Sequence, residues 1–326
     1  MNPDWSLRGK KILVTGGAGF IGSNLVIALV EAGAKVTVVD PILPGLGGNP
    51  HNLAPVAGRI TWVREDLRTE GLLQRTVPGQ EVVFHLAGLV SHKLSMEDPS
   101  RDLQLNYHTT LALMEALRQW NPRSKVIYTS TRQIYGRPRF TPVTEDHPLV
   151  PVDANGIHKL ASEQLLNLYH SVYGIPSVNL RLTNTFGPRM DIGSDTLLTV
   201  FFGRALRGQE LKVFGAGTQR RDLNHVDDVV EALLLAADDD VTGTFNLGHD
   251  QPVSLNELAA QISELGKVRW SNISFPAERE LIDIGDYYGC YAAFKAKTGW
   301  VPRISVANGL ISTWDFYKLN GAQYGL

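Results

Sequence analysis

The chain has a single cysteine, Cys290, which excludes a disulfide framework and a cysteine-built metal centre. Charge of one sign is also lacking. The 31 Lys and Arg nearly balance the 33 Asp and Glu, for a net −2 at pH 7, and no basic block stands out, which argues against a general nucleic-acid or anionic-membrane binder. No apolar run approaches membrane-spanning length, and "MNPDWSLRGKK" at the N-terminus has no apolar signal-peptide core. The expectation is a soluble cytoplasmic protein. Low-complexity segments and repeats of solenoid period are absent, as is the lysine-bearing phosphate loop of an ATPase.

What is present is alternation. The runs "KKILVTG" (Lys10–Gly16), "KVTVVD" (Lys35–Asp40), "RITWVRED" (Arg59–Asp66), "EVVFHLAG" (Glu81–Gly88) and "KVIYTST" (Lys125–Thr131) are rich in β-branched and apolar residues and read as buried strands. Helical patterns lie between them, such as Phe20 to Ala32, closed by Gly33 where a helix end favours a left-handed residue. Strand–helix alternation predicts α/β architecture, a Rossmann-type doubly wound parallel sheet. "SVNLRLTNTFG" (Ser177–Gly187) and "GTFNLG" (Gly243–Gly248) add strands, and "DLNHVDDVVEALLLAA" (Asp222–Ala237) a helix. Past Gly187 the alternation loosens and Pro and Gly scatter. The expected division is a nucleotide-binding domain over 1–180 plus about 222–250, and a smaller mixed α/β substrate lobe over 181–221 and 251–326, with the ligand cleft at the carboxyl ends of the strands.

"VTGGAGFIGSNL" leaves the first strand and enters the first helix with Gly16, Gly19 and Gly22 three apart. The first glycine permits a tight turn, the second lets backbone approach a pyrophosphate at the helix N-terminus, and the third lets helix pack on strand. Asp40 closes the second strand. It can accept hydrogen bonds from an adenosine ribose and repels a 2′-phosphate, which favours NAD over NADP.

With "FHLAG", "STRQIYG", "HKLASE", "RLTNTFGP", "GTQRRDLNHVDDVV" and "TGWVPRISVANGL" following in order, the chain resembles the extended short-chain dehydrogenase/reductase family, within it the NAD-dependent nucleotide-sugar epimerases and dehydratases. The resemblance covers nearly the whole sequence. It implies a bound NAD that transiently oxidises a sugar hydroxyl of a nucleotide-diphosphate sugar. It also implies cofactor contacts from Gly16, Gly19, Phe20, Ile21, Gly22, Asp40, Asp66, Leu67, Leu86, Ala87, Gly88, Asn106, Thr129, Lys159 and Leu182. A homodimer paired through two helices, about Asp102–Trp120 and Asn155–Tyr173, is the implied assembly.

The chain departs from the pattern in two places. In the family a tyrosine four residues before a lysine takes the hydroxyl proton. Here Lys159 fits the lysine, but the tyrosine position falls on Asn155, which has no titratable proton near neutrality. In "STRQIYG", Thr131 falls where the family carries a Ser or Thr bonded to the reacting hydroxyl. Sugar 4,6-dehydratases follow it with an acid–base Asp-Glu pair, whereas this chain has Arg132 and Gln133, neither able to serve. The expected reaction is therefore epimerisation or a related redox-neutral isomerisation. The alternatives are a catalytically altered binder of NAD and NDP-sugar, or an atypical dehydratase or decarboxylase.

Candidates to replace the tyrosine are Lys159 itself, His92 and Lys93 in "LVSHKLS", and His158, which a helix rotates away from Asn155 and Lys159. Tyr135 matches a largely structural "YG". For the substrate, the resemblance implies contacts from Thr131, Arg132, Asn184 and the diphosphate clamp Arg221. The usual second clamp arginine is replaced by Asp283, leaving Arg279 upstream as the remaining candidate.

Overall fold

The computed structural model describes residues 7–276 and 283–326. Strands β1 (Lys11–Thr15), β2 (Lys35–Val39), β3 (Thr61–Val63), β4 (Val82–His85), β5 (Lys125–Thr131) and β6 (Ser177–Leu182) join the strand Gly243–Asn246 in one seven-stranded sheet. The order is Gly243–Asn246, β6, β5, β4, β1, β2, β3, and every pairing is parallel. All strands therefore end at one edge, and the residues just past Thr15, Val39, His85, Thr131 and Leu182 face a common crevice.

Both faces of the sheet are buried, as a doubly wound parallel sheet requires. Ile12 and Val14 of β1 pack under the helices Phe20–Glu31 and Val226–Ala236. Leu13 between them points to the opposite face, against Leu113, Leu117, Leu165 and Leu166 of the helices Thr109–Trp120 and Ala154–Tyr173. This period-two switch puts apolar side chains into both layers from a single short run. A third core, of Phe186, Phe202, Leu258, Ile262 and Leu310, joins the helices Leu197–Leu206, Leu255–Gly266 and Val306–Asn320.

Four expected elements differ from their sequence reading. Arg59–Asp66 forms strand only over Thr61–Val63, following a 3-10 segment that starts at Pro50. The run Ser177–Gly187 breaks at Thr183. There Thr183 Oγ1 turns to the Asp222 carboxylate, and Asn184–Phe186 leaves the main sheet to pair with Leu223–His225. That same pairing claims the first residues of the expected helix Asp222–Ala237, which begins instead at Val226. The expected helix Asp102–Trp120 is interrupted by a π-helical turn over Gln104–His108, a feature that often marks functional positions.

Candidate active site

The glycine loop makes the tightest part of the crevice. Gly16 has φ +72°, and a Cβ there would lie 2.8 Å from Ala87 N; a Cβ on Gly22 would lie 2.1 Å from Gly16 O. Neither position admits a side chain. The helix Phe20–Glu31 opens at Gly19 with no side-chain cap and no acidic residue in its first turn. Its N-terminus thus keeps the backbone donors and positive dipole end that suit a pyrophosphate. Asp40 is held by two backbone donors, Ala18 N and Ile42 N, each at 2.9 Å. Burial pushes its carboxyl up against the pull of those donors.

Across the sheet order, Leu86 and Ala87 follow β4 and donate back to Thr15. A Cβ on Gly88 would stand 2.4 Å from Asn106 Oδ1 and 3.3 Å from Lys159 Nζ. Asn106 lies in the π-helical turn and donates to Leu89 O, but its Oδ1 is enclosed with no partner. An orphaned acceptor beside a glycine-lined space is the mark of a site completed by a ligand. Leu67 and Leu182 are buried apolar neighbours in the two cores that flank the sheet. Asp66 is turned to Arg68, 2.7 Å from Nη2, whose hydrogen bond holds the carboxyl below its usual range.

Lys159 projects from the helix Ala154–Tyr173, bonds Thr129 O at 3.1 Å and lies over the Tyr128 ring at 4.8 Å. Burial pulls its amine down to about 8, although Asp102 and Glu163 oppose the shift. Asn155, one helical turn earlier, is buried. Its Nδ2 donates to Leu89 O (2.7 Å) and to Asp102 Oδ2 (3.1 Å), while its backbone N donates to Ser95 Oγ. Those two acceptors fix the orientation of the amide and leave its Oδ1 without a partner among the described residues. The buried Asp102 also takes His158 Nδ1 at 2.6 Å, so one carboxylate ties His158 to Asn155.

The two neighbours in "LVSHKLS" separate. His92 Nδ1 lies 3.0 Å from Asp153 Oδ2, and Gln133 Nε2 donates to the same oxygen at 3.0 Å. Burial raises the Asp153 carboxyl, but His92 and the Gly156 N–H outweigh it and the net shift is downward. Lys93 instead reaches Glu97 on the exposed side of its short helix, so the structure does not gather it with Lys159, Asn155 and His92. Thr131 ends β5, and its Oγ1 accepts from Gln133 N at 3.2 Å, leaving the hydroxyl proton available.

Next along, Arg132 Nη2 donates to Asn184 Oδ1 at 3.1 Å and the guanidinium lies over the Tyr287 ring at 5.1 Å. Burial and the neighbouring Arg132 push Arg221 down to about 10. Arg221 bonds the carbonyls of Arg220 and Gly285 and lies 3.4 Å from Asp283. Asp283 and Gly285 also line a cleft of about 360 Å³ with Gly215, Ala216, Gln219 and Phe275. Arg279 lies outside the described residues. Tyr135 is wholly buried in a network with Arg181 and Asn246.

Sequence reasoning missed Asp102, Ser95, Tyr287 and Asp222. Each is distant in sequence from the residue it serves, and no local spacing marks it. Asp153 was readable, as a helix N-cap three residues before the Gly156 N–H it binds at 2.7 Å.

Comparison with known proteins agrees with this geometry. The NAD dependent epimerase/dehydratase family matches residues 12–248. A UDP-glucose 4-epimerase of Mycolicibacterium smegmatis is 33% identical over 328 residues, covering 94% of this chain and 98% of the relative. A putative UDP-glucose 4-epimerase of Methanocaldococcus jannaschii is 32% identical, covering 95% and 99%. The crystal structure of the Thermotoga maritima UDP-glucose 4-epimerase with UDP-glucose superposes with a TM-score of 0.88 at 32% identity, covering 95% of this chain and 99% of that one. Among the described residues no helix is long and apolar enough to cross a membrane, and no group of His, Cys, Asp and Glu could hold a metal ion. The glycine cradle, the uncapped helix N-terminus and the orphaned Asn106 acceptor fit one ligand, and the chain belongs to the NAD dependent epimerase/dehydratase family, with NAD as its cofactor.

Proposed function

We propose that the protein is a redox-neutral nucleotide-sugar epimerase or isomerase in which Asn155 stands at the family's tyrosine position and does not remove the proton. The observation that carries this reading is Lys159, an enclosed amine drawn to about 8 beside the cofactor cradle. The glycine loop, Asp40 and Lys159 would hold NAD, which would supply a reversible hydride acceptor for oxidation of a sugar hydroxyl. The Thr131 hydroxyl and Asn155 Oδ1 hold the reacting hydroxyl, one able to donate and the other to accept. Lys159 in its neutral form takes the proton, directly or through water, and gives it back. His92, oriented by Asp153, is the second group at the site able to carry a proton. Arg221 binds the diphosphate, its planar donor fork being suited to phosphate oxygens, and the cleft at Phe275 takes the nucleoside.

Pairing through the helices Thr109–Trp120 and Ala154–Tyr173 is part of this proposal. Trp120, Leu168, Val172 and Tyr173 are exposed on them, and light scattering should give twice the chain mass.

The test is incubation of the NAD-loaded protein with UDP- and dTDP-sugars in heavy water. We expect a transient absorbance of reduced nicotinamide and a product inverted at one carbon. Lys159→Met should lower the rate about a hundred- to ten-thousand-fold. Turnover by Lys159→Met at the wild-type rate would remove the mechanism, and absence of oxidation or exchange with every sugar would leave a binding protein.

A further inference from the structure

We propose that Arg132 and Asn184 form a carboxylate subsite, and that the preferred substrate is a nucleotide-diphosphate sugar acid, a uronate, rather than a neutral sugar. This rests on the nucleotide-sugar reading above and names the substrate class of that same site.

Arg132 has no carboxylate within ion-pair distance among the described residues. Its Nη2 is engaged with Asn184 Oδ1, but its Nη1 is enclosed without a partner. Asn184 answers with the same deficit, because its Nδ2 is also enclosed and unpartnered. The bond between Arg132 Nη2 and Asn184 Oδ1 fixes which end of the amide is the donor. Two adjoining side chains therefore leave two donors and no acceptor between them. The acid that acts most strongly on Arg132, Asp222, is spent elsewhere: Thr183 Oγ1 and Gly289 N occupy its two carboxylate oxygens. The second acid, Asp283, is turned to Arg221 and Gly285 N. Leaving a guanidinium nitrogen enclosed and unpaired costs folding free energy, and an anionic ligand group offsets that cost.

Position decides where the anion sits on the ligand. Asp283 and Gly285 line the Phe275 cleft and also bind Arg221, so Arg221 adjoins the cleft. Arg132 lies close enough to Arg221 for the two charges to repel and directly follows Thr131, where β5 ends. The order of neighbours is the Phe275 cleft, Arg221, Arg132, Thr131. A diphosphate at Arg221 puts Arg132 against the sugar, next to the reacting carbon. A planar carboxylate offers the geometry that a guanidinium and an amide nitrogen can share, and the Tyr287 ring behind Arg132 holds the guanidinium plane in place.

The test compares equilibrium binding of UDP-glucuronate, UDP-glucose and UDP alone to the NAD-loaded protein, in wild type, Arg132→Gln and Arg132→Lys. Wild type should prefer UDP-glucuronate over UDP-glucose by about ten- to a hundred-fold, the worth of a charge-assisted hydrogen-bond pair. Arg132→Gln should bring that ratio close to one, and Arg132→Lys should keep part of it. Affinity for UDP alone should change much less than affinity for UDP-glucuronate in both variants, and its retention also reports that they fold. A wild-type ratio of one or less overturns the carboxylate subsite while leaving the nucleotide-sugar reading intact. So does an Arg132→Gln variant that loses UDP as strongly as UDP-glucuronate, since Arg132 would then belong to the diphosphate site. If wild type binds none of the three, nor dTDP-glucose, the nucleotide-sugar reading fails and the subsite falls with it.

Discussion

Asn155 has two tasks that pull apart under mutation. Its amide nitrogen satisfies Leu89 O and the buried Asp102 carboxylate, so part of its value is structural. Asn155→Ala removes both donors and leaves Asp102 with His158 alone, which should cost about 1–3 kcal/mol of stability, read as a lower denaturant midpoint. Asn155→Asp should be worse, because two carboxylates facing each other cannot both ionise. Lys159 separates rate from stability differently. Its amine, pulled down by burial, is protonated below about 8 and neutral above, and only the neutral form accepts a proton. The rate of sugar oxidation should therefore rise with pH through a midpoint no higher than about 8, since cationic nicotinamide nearby lowers it further. A profile that is flat between pH 6 and 9, or that falls, would take the proton-accepting role from Lys159. That Asn155 and Lys159 share one helix face was legible from a spacing of four residues alone. Which way the amide turns was not, because Asp102 and Leu89 reach it from another helix and another loop.

At the scale of elements, the site hangs on the start of the helix Ala154–Tyr173. Asp153 caps it through Oδ1 to Gly156 N (2.7 Å) and, with its other oxygen, holds His92 and Gln133. The cap fixes where the helix begins and hence where Asn155 and Lys159 point; the second oxygen ties in the loop after β4 and the turn after β5. Asp153→Ala should cost about 0.5–2 kcal/mol from the lost cap and also lower activity, because His92 and Gln133 lose their common partner. Asp153→Ser can still cap but cannot hold the imidazole. It should recover stability and not activity, and recovery of both would show that the cap alone matters. Strands and helices were readable here because their apolar periods differ. The break at Thr183 was not, since "RLTNTF" keeps a strand-like composition through it. Only the distant Asp222, by taking the Thr183 hydroxyl, and Leu223–His225, by pairing with Asn184–Phe186, divert the chain.

Over the whole molecule, the all-parallel sheet collects at one edge residues scattered from Gly16 to Asn184, and the glycine loop, Asp40, Gly88 and Thr131 could be placed there from motifs alone. The Arg132–Asn184 deficit could not, because an unpartnered atom is a property of the folded surroundings and leaves no trace in spacing. Since the expected cofactor contacts come from loops along most of the sheet, NAD should act on global stability. A ligand bound only by the native state adds about 2.7 kcal/mol at a hundred times its dissociation constant, so saturating NAD should raise the Tm of cofactor-stripped protein by several degrees. NADP should raise it much less. Asp40 is pinned by Ala18 N and Ile42 N, so its carboxylate cannot swing away from a 2′-phosphate, and burial leaves little water to screen the repulsion. Asp40→Asn keeps an acceptor for one of the two backbone donors and removes the charge. It should shrink the gap between the two cofactors chiefly by weakening the penalty on NADP. Equal stabilisation of the wild type by NAD and NADP would mean that Asp40 faces no part of the adenosine ribose.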